Sequence, residues 1–530
     1  MINRYISRRR FLKAGTLASM GFAVASTDAL SSWAAHPRES IDAIVIGSGF
    51  GGAVAALRLA QAGVQTLLLE RGRRWTITEA QNTFATLRNP DGRSSWLSPF
   101  AVVSDPGSKP IPIDVYTGVV ELMVEKGISV FAGAGVGGGS LVYNGATYQP
   151  TRANFDRVFQ GAVSYDEMDK VYYPRVRSIL KPSTIPADIL ATNYYRSGRV
   201  ALGLAAKAGL TGKLLEMNLD WDVIRQEIAG TRVASGIIGE YWYGNNSGCK
   251  NSLDRNYLLQ AEESGFVEIL PLHVVTDINE VPGNRYAVVC NQIDEGGNVL
   301  QTRTFISSHV FLAAGSMGTS KLLVKAKAKG TLPKLNYAVG QFWGADGDTF
   351  ALQGGLPPTN PSQGTPSVVI EDHTNPIVPT VLLPGPQWNE TREGYISYLD
   401  MAIVPAKGSF NYDYSTNSVQ LTWPKDSPEV VQARKAALHT LQTLNKANTS
   451  SAYQPTTVSV NDGVSGHLLG GAVLGKACDF YGRVKGYKGL YVVDGALIPG
   501  STGATNPSFT IAALAERCVE RLIAQDKICK

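Results

Sequence analysis

The sequence predicts an α/β chain, α+β overall, in which a Rossmann-like domain is joined to a second domain built on an antiparallel sheet with helices. Residues 41–70 form a strand–helix–strand pattern, residues 131–145 contain six glycines, and residues 331–460 alternate aromatic and polar side chains between prolines. The first pattern is typical of parallel sheets and the last of antiparallel sheets. A chain of 530 residues is long enough for both domains.

The unit at residues 41–70 opens with a short apolar run, Asp42 to Ile46, which predicts a buried parallel strand. A helix is expected over Ala53 to Ala62, and a second buried strand over Val64 to Leu69 that ends in Glu70. The turn between the first strand and the helix is Gly47-Ser48-Gly49-Phe50-Gly51-Gly52.

Each residue type in this turn suits the binding of a dinucleotide. Gly47 permits the tight turn, Gly49 lets the backbone approach a pyrophosphate, and Gly52 lets the helix pack close to the strand. The helix N-terminus offers free N–H groups to the phosphates. Glu70 follows Gly49 by 21 residues, which suits hydrogen bonds to ribose hydroxyls and favours FAD or NAD over NADP. The alternative, a glycine-rich structural turn, is disfavoured because strand, helix, second strand and acid are all in register.

The amino-terminal residues 1–35 resemble a twin-arginine signal peptide. The basic stretch Ser7 to Lys13 precedes a mildly apolar run from Ala14 to Ala25, and cleavage is expected near Ala34 or Ala35. The alternatives are a basic disordered arm or a membrane anchor, but the apolar run is shorter than the ~20 residues of a spanning helix. The sequence therefore predicts a periplasmic or secreted protein that leaves by the twin-arginine route.

Net charge and cysteine content exclude several classes of function. The chain carries +5, but residues 1–35 account for +4 of it, so the body is close to neutral and gives no support for nucleic-acid binding. The five cysteines are sparse and include no C-x-x-C pair. We therefore predict neither a disulfide framework nor a metal site.

Two further stretches predict contact between the backbone and a cofactor. The glycine run in residues 131–145 lets the main chain pass close to something large and flat. The alternative is a flexible linker, but a linker rarely continues into a run such as Leu141-Val142-Tyr143. Strands are expected over Val267 to Ile278 and over Arg303 to Ala314, and the second ends in a small-residue turn before a helix. Residues 151–245 have mainly helical periodicity and no chemical motif.

Together, the 47–70 unit, the 133–140 glycine run, Asp494-Gly495 and Asn506-Pro507 resemble the glucose-methanol-choline (GMC) FAD oxidoreductases. Further stretches are similar to the bacterial cholesterol oxidases that hold FAD non-covalently, namely residues 89–96, 135–142, 244–246, 330–333, 475–477, 481–484 and 513–517. The resemblance covers nearly the whole chain after the signal peptide. No histidine lies between the two glycine-rich runs, where some members of the family attach FAD, so non-covalent FAD is expected.

The resemblance implies a discontinuous FAD-binding domain at residues 40–150, 246–330 and 461–526, and a substrate-binding domain at residues 151–245 and 331–460. It also implies which residues contact FAD. These are Gly47, Gly49, Phe50, Gly51, Gly52, Glu70, Gly135, Gly137, Gly138, Ser140, Asn144, Val275, Gly315, Asp494, Gly495, Asn506 and Pro507.

By the same resemblance, His467 falls on the active-site histidine and Asn506 on the asparagine that faces the flavin and the substrate oxygen. Oxidation of a secondary alcohol releases the hydroxyl proton and passes the hydride of the carbon to the flavin. An imidazole can accept that proton, and a neutral amide can hydrogen-bond the developing carbonyl oxygen. We therefore expect His467 and Asn506 to be the catalytic pair.

The chain departs from the cholesterol oxidase pattern at three places. In those enzymes a glutamate moves the ring double bond after oxidation, and Leu383 stands at its place here, while Glu371 lies upstream and out of register. A leucine cannot carry a proton, so isomerisation is doubtful although alcohol oxidation is not. The stretch Gly503-Ala504-Thr505 is one residue longer than the pattern, and Tyr143-Asn144 replaces an Asn-Gly pair. Either change would alter substrate fit or oxygen access.

The first hypothesis is an exported FAD-dependent alcohol oxidase that acts on a 3β-hydroxysteroid such as cholesterol and reduces O2 to H2O2. Its expected partners are the sterol, O2 and, transiently, a membrane surface. The second is a dehydrogenase of the same superfamily that passes electrons from another alcohol or polyol to a quinone or cytochrome. The third is a catalytically idle flavin- or sterol-binding protein, against which the retained His467 and Asn506 count.

Overall fold

The computed structural model describes residues 39–102, 109–360, 362–386 and 393–528. The predicted signal peptide at residues 1–35 lies outside this part of the chain. The body is built on a five-stranded sheet in which all the neighbouring strands are parallel. From one edge to the other its strands are Leu490–Val492, His309–Leu312, Ala43–Ile46, Thr66–Leu69 and Val267–Leu270.

The helix Phe50–Gln61 connects the central strand Ala43–Ile46 to its neighbour Thr66–Leu69 and completes the predicted strand–helix–strand unit. It begins three residues earlier than predicted, directly after Gly49. Its apolar residues are buried between the parallel sheet and the carboxyl-terminal helix Pro507–Asp526. Arg58 on its outer face forms a bidentate ion pair with Glu516, at 2.7 Å for both bonds. The fully buried Glu516 carboxylate also lies 3.6 Å from Arg175 and accepts from the Tyr257 hydroxyl at 2.9 Å, so it keeps other partners if Arg58 is lost.

Three long antiparallel strands, His273–Val281, Arg285–Ile293 and Val299–Ser307, form a second sheet beside the parallel one. Two segments that were each predicted as one strand are divided into two, because the chain passes from one of these sheets to the other within each segment. Residues 267–278 divide after Leu270, where Pro271 lacks an amide donor and Leu272 has a φ of +58°. Residues 303–314 divide at Ser308, so that one half belongs to each sheet.

A six-stranded antiparallel sheet forms the other half of the body. Its strands come from the segments predicted for the substrate-binding domain, except that Thr456–Asn461 ends one residue beyond them. The helices Arg196–Lys207 and Gln432–Asn448 pack on one face, where Leu382 joins their core. The adjacent Leu383 points to the opposite face, as the pleat requires. In spatial order the strands are Thr456–Asn461, Thr349–Gly354, Ile396–Ala402, Thr380–Gly385, Val368–Asp372 and Thr211–Leu214.

Smaller elements complete the body. The remaining strands are Glu39–Ser40, Val120–Glu125, Ile128–Gly133, Ser183–Thr184, Glu216–Met217, Ser409–Asp413, Ser418–Thr422 and Val464–Ser465. The remaining helices and helical turns are Gly138–Leu141, Arg152–Phe159, Tyr165–Glu167, Met168–Tyr172, Tyr173–Leu180, Ala187–Leu190, Asn193–Tyr195, Trp221–Ile228, Gly236–Ile238, Leu253–Arg255, Tyr257–Glu263, Gly315–Ala328 and Gly495–Leu497. Among the described residues, no helix combines the length and apolarity that crossing a membrane requires.

The predicted fold class is therefore confirmed: a Rossmann-like parallel sheet is joined to a domain built on an antiparallel sheet with helices. The exact domain boundaries stay a prediction. The hairpin Ser409–Asp413 and Ser418–Thr422, which lies within the segment predicted for the substrate-binding domain, contributes Phe410 and Leu421 to the core around the parallel sheet.

Asp400 gives a prediction about stability, because it lies fully buried in the antiparallel sheet. Its carboxyl accepts a hydrogen bond from Thr380 at 2.6 Å, and burial raises its pKa well above the usual value. The folded state therefore holds a proton that the unfolded chain releases above a pH of about 4, so Asp400 lowers stability as pH rises. We expect Asp400→Asn to raise the Tm by about 1–3 °C near pH 8, and by less near pH 5. A Tm difference that does not change with pH, measured by differential scanning calorimetry, would contradict this prediction.

Candidate active site

A cavity of about 1540 Å³ separates the parallel sheet from the six-stranded antiparallel sheet. Its lining begins at the carboxyl ends of the parallel strands, which is where open α/β sheets bind their ligands. It continues to an apolar wall on the antiparallel sheet that includes Phe350, Leu383 and Leu399. This volume exceeds the roughly 300–1,000 Å³ of a pocket for one drug-sized ligand. The cavity therefore has room for a dinucleotide and a substrate together.

Gly49 lies in the first glycine-rich turn and faces this cavity. Its φ of −69° is open to any residue, and a Cβ built on it would meet no atom within 4 Å. The fold itself therefore gives no reason for glycine at this position, whereas a pyrophosphate against the backbone does. Gly52 behaves as the motif predicts, because a Cβ there would lie 2.0 Å from the Gly47 carbonyl oxygen. These two observations fit the residues of the turn to a dinucleotide.

The second glycine run packs directly against the first. A Cβ on Gly138 would lie 2.7 Å from the Cα of Gly49. Ser140 is buried behind this contact, donating to the Gly137 carbonyl at 2.7 Å and accepting from the Leu253 amide at 3.0 Å. Of the predicted FAD contacts, four support the turns from behind and do not line the cavity: Gly52, Gly135, Gly137 and Ser140.

Glu70 lines the cavity and also connects the loops around it. One carboxylate oxygen accepts from the amide and hydroxyl of Ser48 at 3.0 and 2.6 Å, and the other accepts from the Gly72 amide at 2.8 Å. A carboxylate has about four acceptor positions, so one remains for a ribose hydroxyl. This geometry is compatible with the predicted role of Glu70.

The other predicted FAD contacts line the same cavity, namely Gly47, Gly49, Phe50, Gly51, Gly138, Asn144, Val275, Gly315, Asp494, Gly495, Asn506 and Pro507. The helices Phe50–Gln61, Gly315–Ala328 and Pro507–Asp526 all begin at its wall. Their N-termini carry partial positive charge, which favours an anionic ligand. Asp494 accepts from Thr319 at 2.5 Å and from the Ala496 amide at 2.8 Å, and burial raises its pKa to about 6.

The predicted catalytic pair comes together at this cavity. The Nδ2 of Asn506 lies 3.3 Å from the Nε2 of His467. The Nδ1 of His467 lies 2.8 Å from a carboxylate oxygen of Asp348, which we assign as a hydrogen bond donated by the ring. In this tautomer Nε2 carries the ring lone pair beside the cavity, where it accepts from the Asn506 amide and where a substrate hydroxyl can take the place of that donor. The Oδ1 of Asn506 is buried and has no hydrogen-bond partner among the described residues, so it is available to a bound molecule.

Two acids behind His467 were not predicted from the sequence. Asp348 accepts from the imidazole and from the Ser465 hydroxyl, the latter at 2.7 Å, and an oxygen of Asp346 lies 4.0 Å from the same Nδ1. Burial lowers the pKa of His467, but the negative charge and hydrogen bond of Asp348, aided by Asp346, outweigh burial and raise it above 6.5. The only local signal was an Asp-Gly-Asp turn before a strand, a pattern too common to mark a site.

Leu383 and Glu371 lie in different environments. Leu383 is buried on the cavity wall beside Leu399, in an apolar surface. Glu371 does not line the cavity; it pairs with Lys213 and accepts a hydrogen bond from Tyr148. Burial tends to raise the pKa of Glu371, but hydrogen bonds from His373, Lys213 and Tyr148 outweigh it and lower that pKa to about 2. Glu371 therefore does not replace the missing base.

This fold and this cavity define a flavin-dependent oxidoreductase. Models of the GMC oxidoreductase family match residues 41–331 and 408–515 of the chain. The chain belongs to the GMC oxidoreductase family, and it is an FAD-binding enzyme that acts on alcohols.

Among curated proteins, the chain is similar to a cholesterol oxidase of Mycobacterium tuberculosis, at 25% identity over 90% of both chains. It is also similar to a cholesterol oxidase of Acinetobacter baumannii, at 24% identity over 91% of this chain and 94% of the other. The crystal structure of pyridoxine 4-oxidase from Mesorbium loti matches with a TM-score of 0.64 at 15% identity, covering 92% of this chain and 99% of that one. At that identity the structural match shows the fold alone.

Proposed function

We propose that this chain is an exported FAD-dependent alcohol oxidase that oxidises a 3β-hydroxysteroid such as cholesterol to the ketone and reduces O2 to H2O2. The observation that carries the proposal is the position of His467 and Asn506 on a cavity whose far wall is a large apolar sheet surface. A bulky apolar alcohol would bury its rings against that wall and present its hydroxyl to the pair. The similarity to two cholesterol oxidases supports the sterol class.

FAD, when bound, accepts the hydride of the carbinol carbon and passes the electrons to O2. The residues of this chain handle the remaining proton and the oxygen atom. When the substrate hydroxyl replaces the Asn506 amide at His467 Nε2, the lone pair of Nε2 accepts the hydroxyl proton, and the Asn506 amide donates to the oxygen as it becomes a carbonyl. Asp348 holds the imidazole in the tautomer that can accept. The apolar wall around Leu383 and Leu399 excludes water from this step.

The decisive experiment is anaerobic addition of cholesterol to the purified yellow protein, followed by air. Bleaching of the flavin absorbance by cholesterol, with recovery in air and release of peroxide, would support the sterol oxidase. Bleaching by cholesterol without rapid recovery in air would favour a dehydrogenase that uses a quinone or cytochrome. Bleaching by another alcohol alone would contradict the sterol assignment, and a flavin that no alcohol bleaches would favour an idle binding protein.

The proposal includes oxidation without isomerisation, and Leu383 provides the test. We expect the wild type to release the unconjugated ketone, because leucine cannot carry a proton. Leu383→Glu should release a measurable share of the conjugated isomer, with a kcat for oxidation within about tenfold of wild type because His467 is untouched. The products are separated chromatographically immediately after the enzyme is removed. Leu383→Gln is the matched control, and a conjugated product from the wild type would contradict the role given to Leu383.

Export by the twin-arginine route is a further part of the proposal, supported by the pair Arg8-Arg9 ahead of an apolar run. A reporter that folds in the cytoplasm should cross the membrane when residues 1–40 are fused to it. Replacing both arginines with lysine should block that transport, and transport that survives the replacement would contradict this route.

The sterol would reach the cavity from a membrane surface. The exposed side chains of Leu97, Phe100 and Val115 support transient contact, since Phe100 pairs with Pro112 beside the cavity-lining Ile111. Sedimentation with phospholipid vesicles tests this contact, and a protein that never sediments with them would contradict it.

A further inference from the structure

The antiparallel sheet presents its cavity-facing side chains in rows that lead away from His467. Asp348 lies 2.8 Å from the imidazole, directly before the strand Thr349–Gly354. Phe350 and Leu352 follow it on that strand and line the same cavity, because alternate residues of a strand face the same side. At about 3.3 Å per residue, the wall from Asp348 to Leu352 extends roughly 13 Å away from the reaction centre.

The row at Leu352 differs from the apolar row at Leu383. Leu352 pairs with Ser397, Ser397 pairs with Gly385, and all three line the cavity. A Cβ built on Gly385 would meet only the Ser397 carbonyl oxygen within 4 Å, at 3.9 Å. The fold itself therefore does not require glycine at this position, and the missing side chain leaves space at the far end of the wall.

Glu240 lies at this far end. The preceding residue, Gly239, has a φ of +69° and packs against Pro386, the residue after Gly385. A Cβ on Gly239 would lie 2.8 Å from the Cβ of Pro386, so only glycine allows this approach. Glu240 and Pro386 both line the cavity, and Glu240 is 6% exposed. The apolar wall therefore ends beside a buried carboxyl group.

Glu240 has few hydrogen-bond partners for a buried carboxyl group. In the part of the chain that the structure describes, its one donor is the Leu87 amide, which lies 3.1 Å from one oxygen and 3.2 Å from the other. A carboxylate has about four acceptor positions, and a carboxylic acid needs an acceptor for its own hydrogen. Buried polar groups are normally hydrogen-bonded, so we expect a molecule in the cavity to supply a further partner.

The surroundings of Glu240 indicate the chemistry of that partner. Burial raises the pKa of Glu240 to about 7, although the Leu87 amide and the positive charge of Arg88 act to lower it. Acid and carboxylate are therefore both populated near neutral pH. A hydroxyl group suits both forms, because it can accept from the acid and donate to the carboxylate. An ammonium group is disfavoured, because the charge of Arg88 would repel it.

We propose that Glu240 is a specificity-determining residue that hydrogen-bonds a second hydroxyl group at the far end of the substrate, so that the preferred substrate is a steroid diol. The proposal rests on the alcohol oxidase function above and narrows its sterol class. The 3β-hydroxyl lies at His467 and Asn506, and the fused rings pack on the apolar wall. The hydroxyl at the opposite end of the ring system then reaches Glu240. Cholesterol has a hydrocarbon tail at that end and should be the poorer substrate.

Two alcohols that differ in one group test the proposal. Androstenediol carries a hydroxyl group at the end of the ring system opposite its 3β-hydroxyl, and its deoxy analogue has hydrogen there. We expect the second-order rate constant of anaerobic flavin bleaching in the wild type to be about tenfold or more higher for the diol. Equal rate constants for the two alcohols would overturn the proposal.

Variants of Glu240 assign that preference to its side chain. Glu240→Leu should reverse the preference, because leucine favours the apolar end of the deoxy analogue. Glu240→Gln is the matched control and should keep a preference for the diol, since an amide both donates and accepts. A ratio of rate constants that Glu240→Leu leaves unchanged would contradict the role of Glu240.

Binding without turnover gives a second readout. Testosterone has a ketone in place of the reacting alcohol and a hydroxyl group at the opposite end. Its Kd for the holoenzyme, measured by perturbation of the flavin absorbance, should be about tenfold lower than that of its deoxy analogue. Glu240→Leu should remove this difference. If the variant instead weakens both ligands alike, Glu240 serves only to hold the Leu87 amide and the proposal is wrong.

These readouts separate the proposal from the function on which it rests. If no steroid bleaches the flavin, the steroid oxidase function fails, while the two Kd values still report whether Glu240 recognises a hydroxyl group. If both alcohols bleach the flavin at equal rates, the role of Glu240 is wrong and the oxidase function stands.

Discussion

Replacing His467 with glutamine is expected to lower kcat by about 10²–10⁴-fold, the usual contribution of a positioned general base. Glutamine fills much of the same space and keeps a polar group beside Asn506, but it cannot accept a proton. Without the base, the alcohol must lose its hydride while the oxygen still carries its proton. The rate of anaerobic flavin bleaching measures this loss directly, because it excludes the reaction with oxygen.

His439→Gln is the matched control for this prediction. His439 lies half-buried on the helix Gln432–Asn448 and does not line the cavity. It should retain the wild-type bleaching rate and the same flavin content. A fall of less than about tenfold for His467→Gln would mean that the proton leaves by another route, and His467 would then be a positioning residue.

The pH dependence of the same half-reaction follows from the pKa of His467. Only the neutral imidazole can accept the proton, and Asp348 raises the pKa of His467 above 6.5. The bleaching rate should therefore rise with pH through that raised value and then level off. In Asp348→Asn this rise should move to lower pH. The bleaching rate of the variant relative to that of wild type should therefore be highest in acid solution. An unchanged profile would contradict the assigned contact between Asp348 and the imidazole.

How much of this site could be predicted depended on how local each signal was. The turn after Ile46 and the acid at Glu70 lie within one strand–helix–strand unit, so their spacing alone predicted the dinucleotide site, and the structure brings Gly49 and Glu70 to the same cavity. His467 and Asn506 are 39 residues apart, and only the resemblance paired them before the structure placed their side chains 3.3 Å apart.

What the sequence could not predict arises from contacts across the fold. Asp348 precedes His467 by 119 residues and reaches it because the turn before the strand Thr349–Gly354 lies against the loop after Val464–Ser465. No local pattern encodes that meeting. The two strand predictions at residues 267–278 and 303–314 missed a division for a related reason. The hydrophobic pattern was right, but the chain turns from one sheet into another at Leu272 and at Ser308 without interrupting that pattern.

Replacing Gly49 with valine is expected to weaken FAD binding by about 100-fold or more while the apoprotein stays folded. The backbone of Gly49 already lies where valine is allowed, and its Cβ would meet no atom of the chain within 4 Å. The branched side chain would instead occupy the space where the pyrophosphate meets the backbone. Overpacking of that size weakens the free energy of FAD binding by about 1–3 kcal/mol, and the loss of hydrogen bonds from backbone amides to the phosphates adds to it. Flavin fluorescence titration of the apoprotein measures the affinity.

Two other glycines separate this effect from a general intolerance of side chains. Gly203 is exposed in the helix Arg196–Lys207, and a Cβ on it would likewise meet no atom within 4 Å. Gly203→Ala should therefore keep its FAD, and its free energy of unfolding should rise by about 0.5–1 kcal/mol. Gly52→Val should fail to fold, because its Cβ would lie 2.0 Å from the Gly47 carbonyl oxygen.

If Gly49→Val retains wild-type affinity, the pyrophosphate does not approach this turn. The phosphates would then have to lie at another of the three helix N-termini on the cavity, and the role given to Glu70 would fail with it.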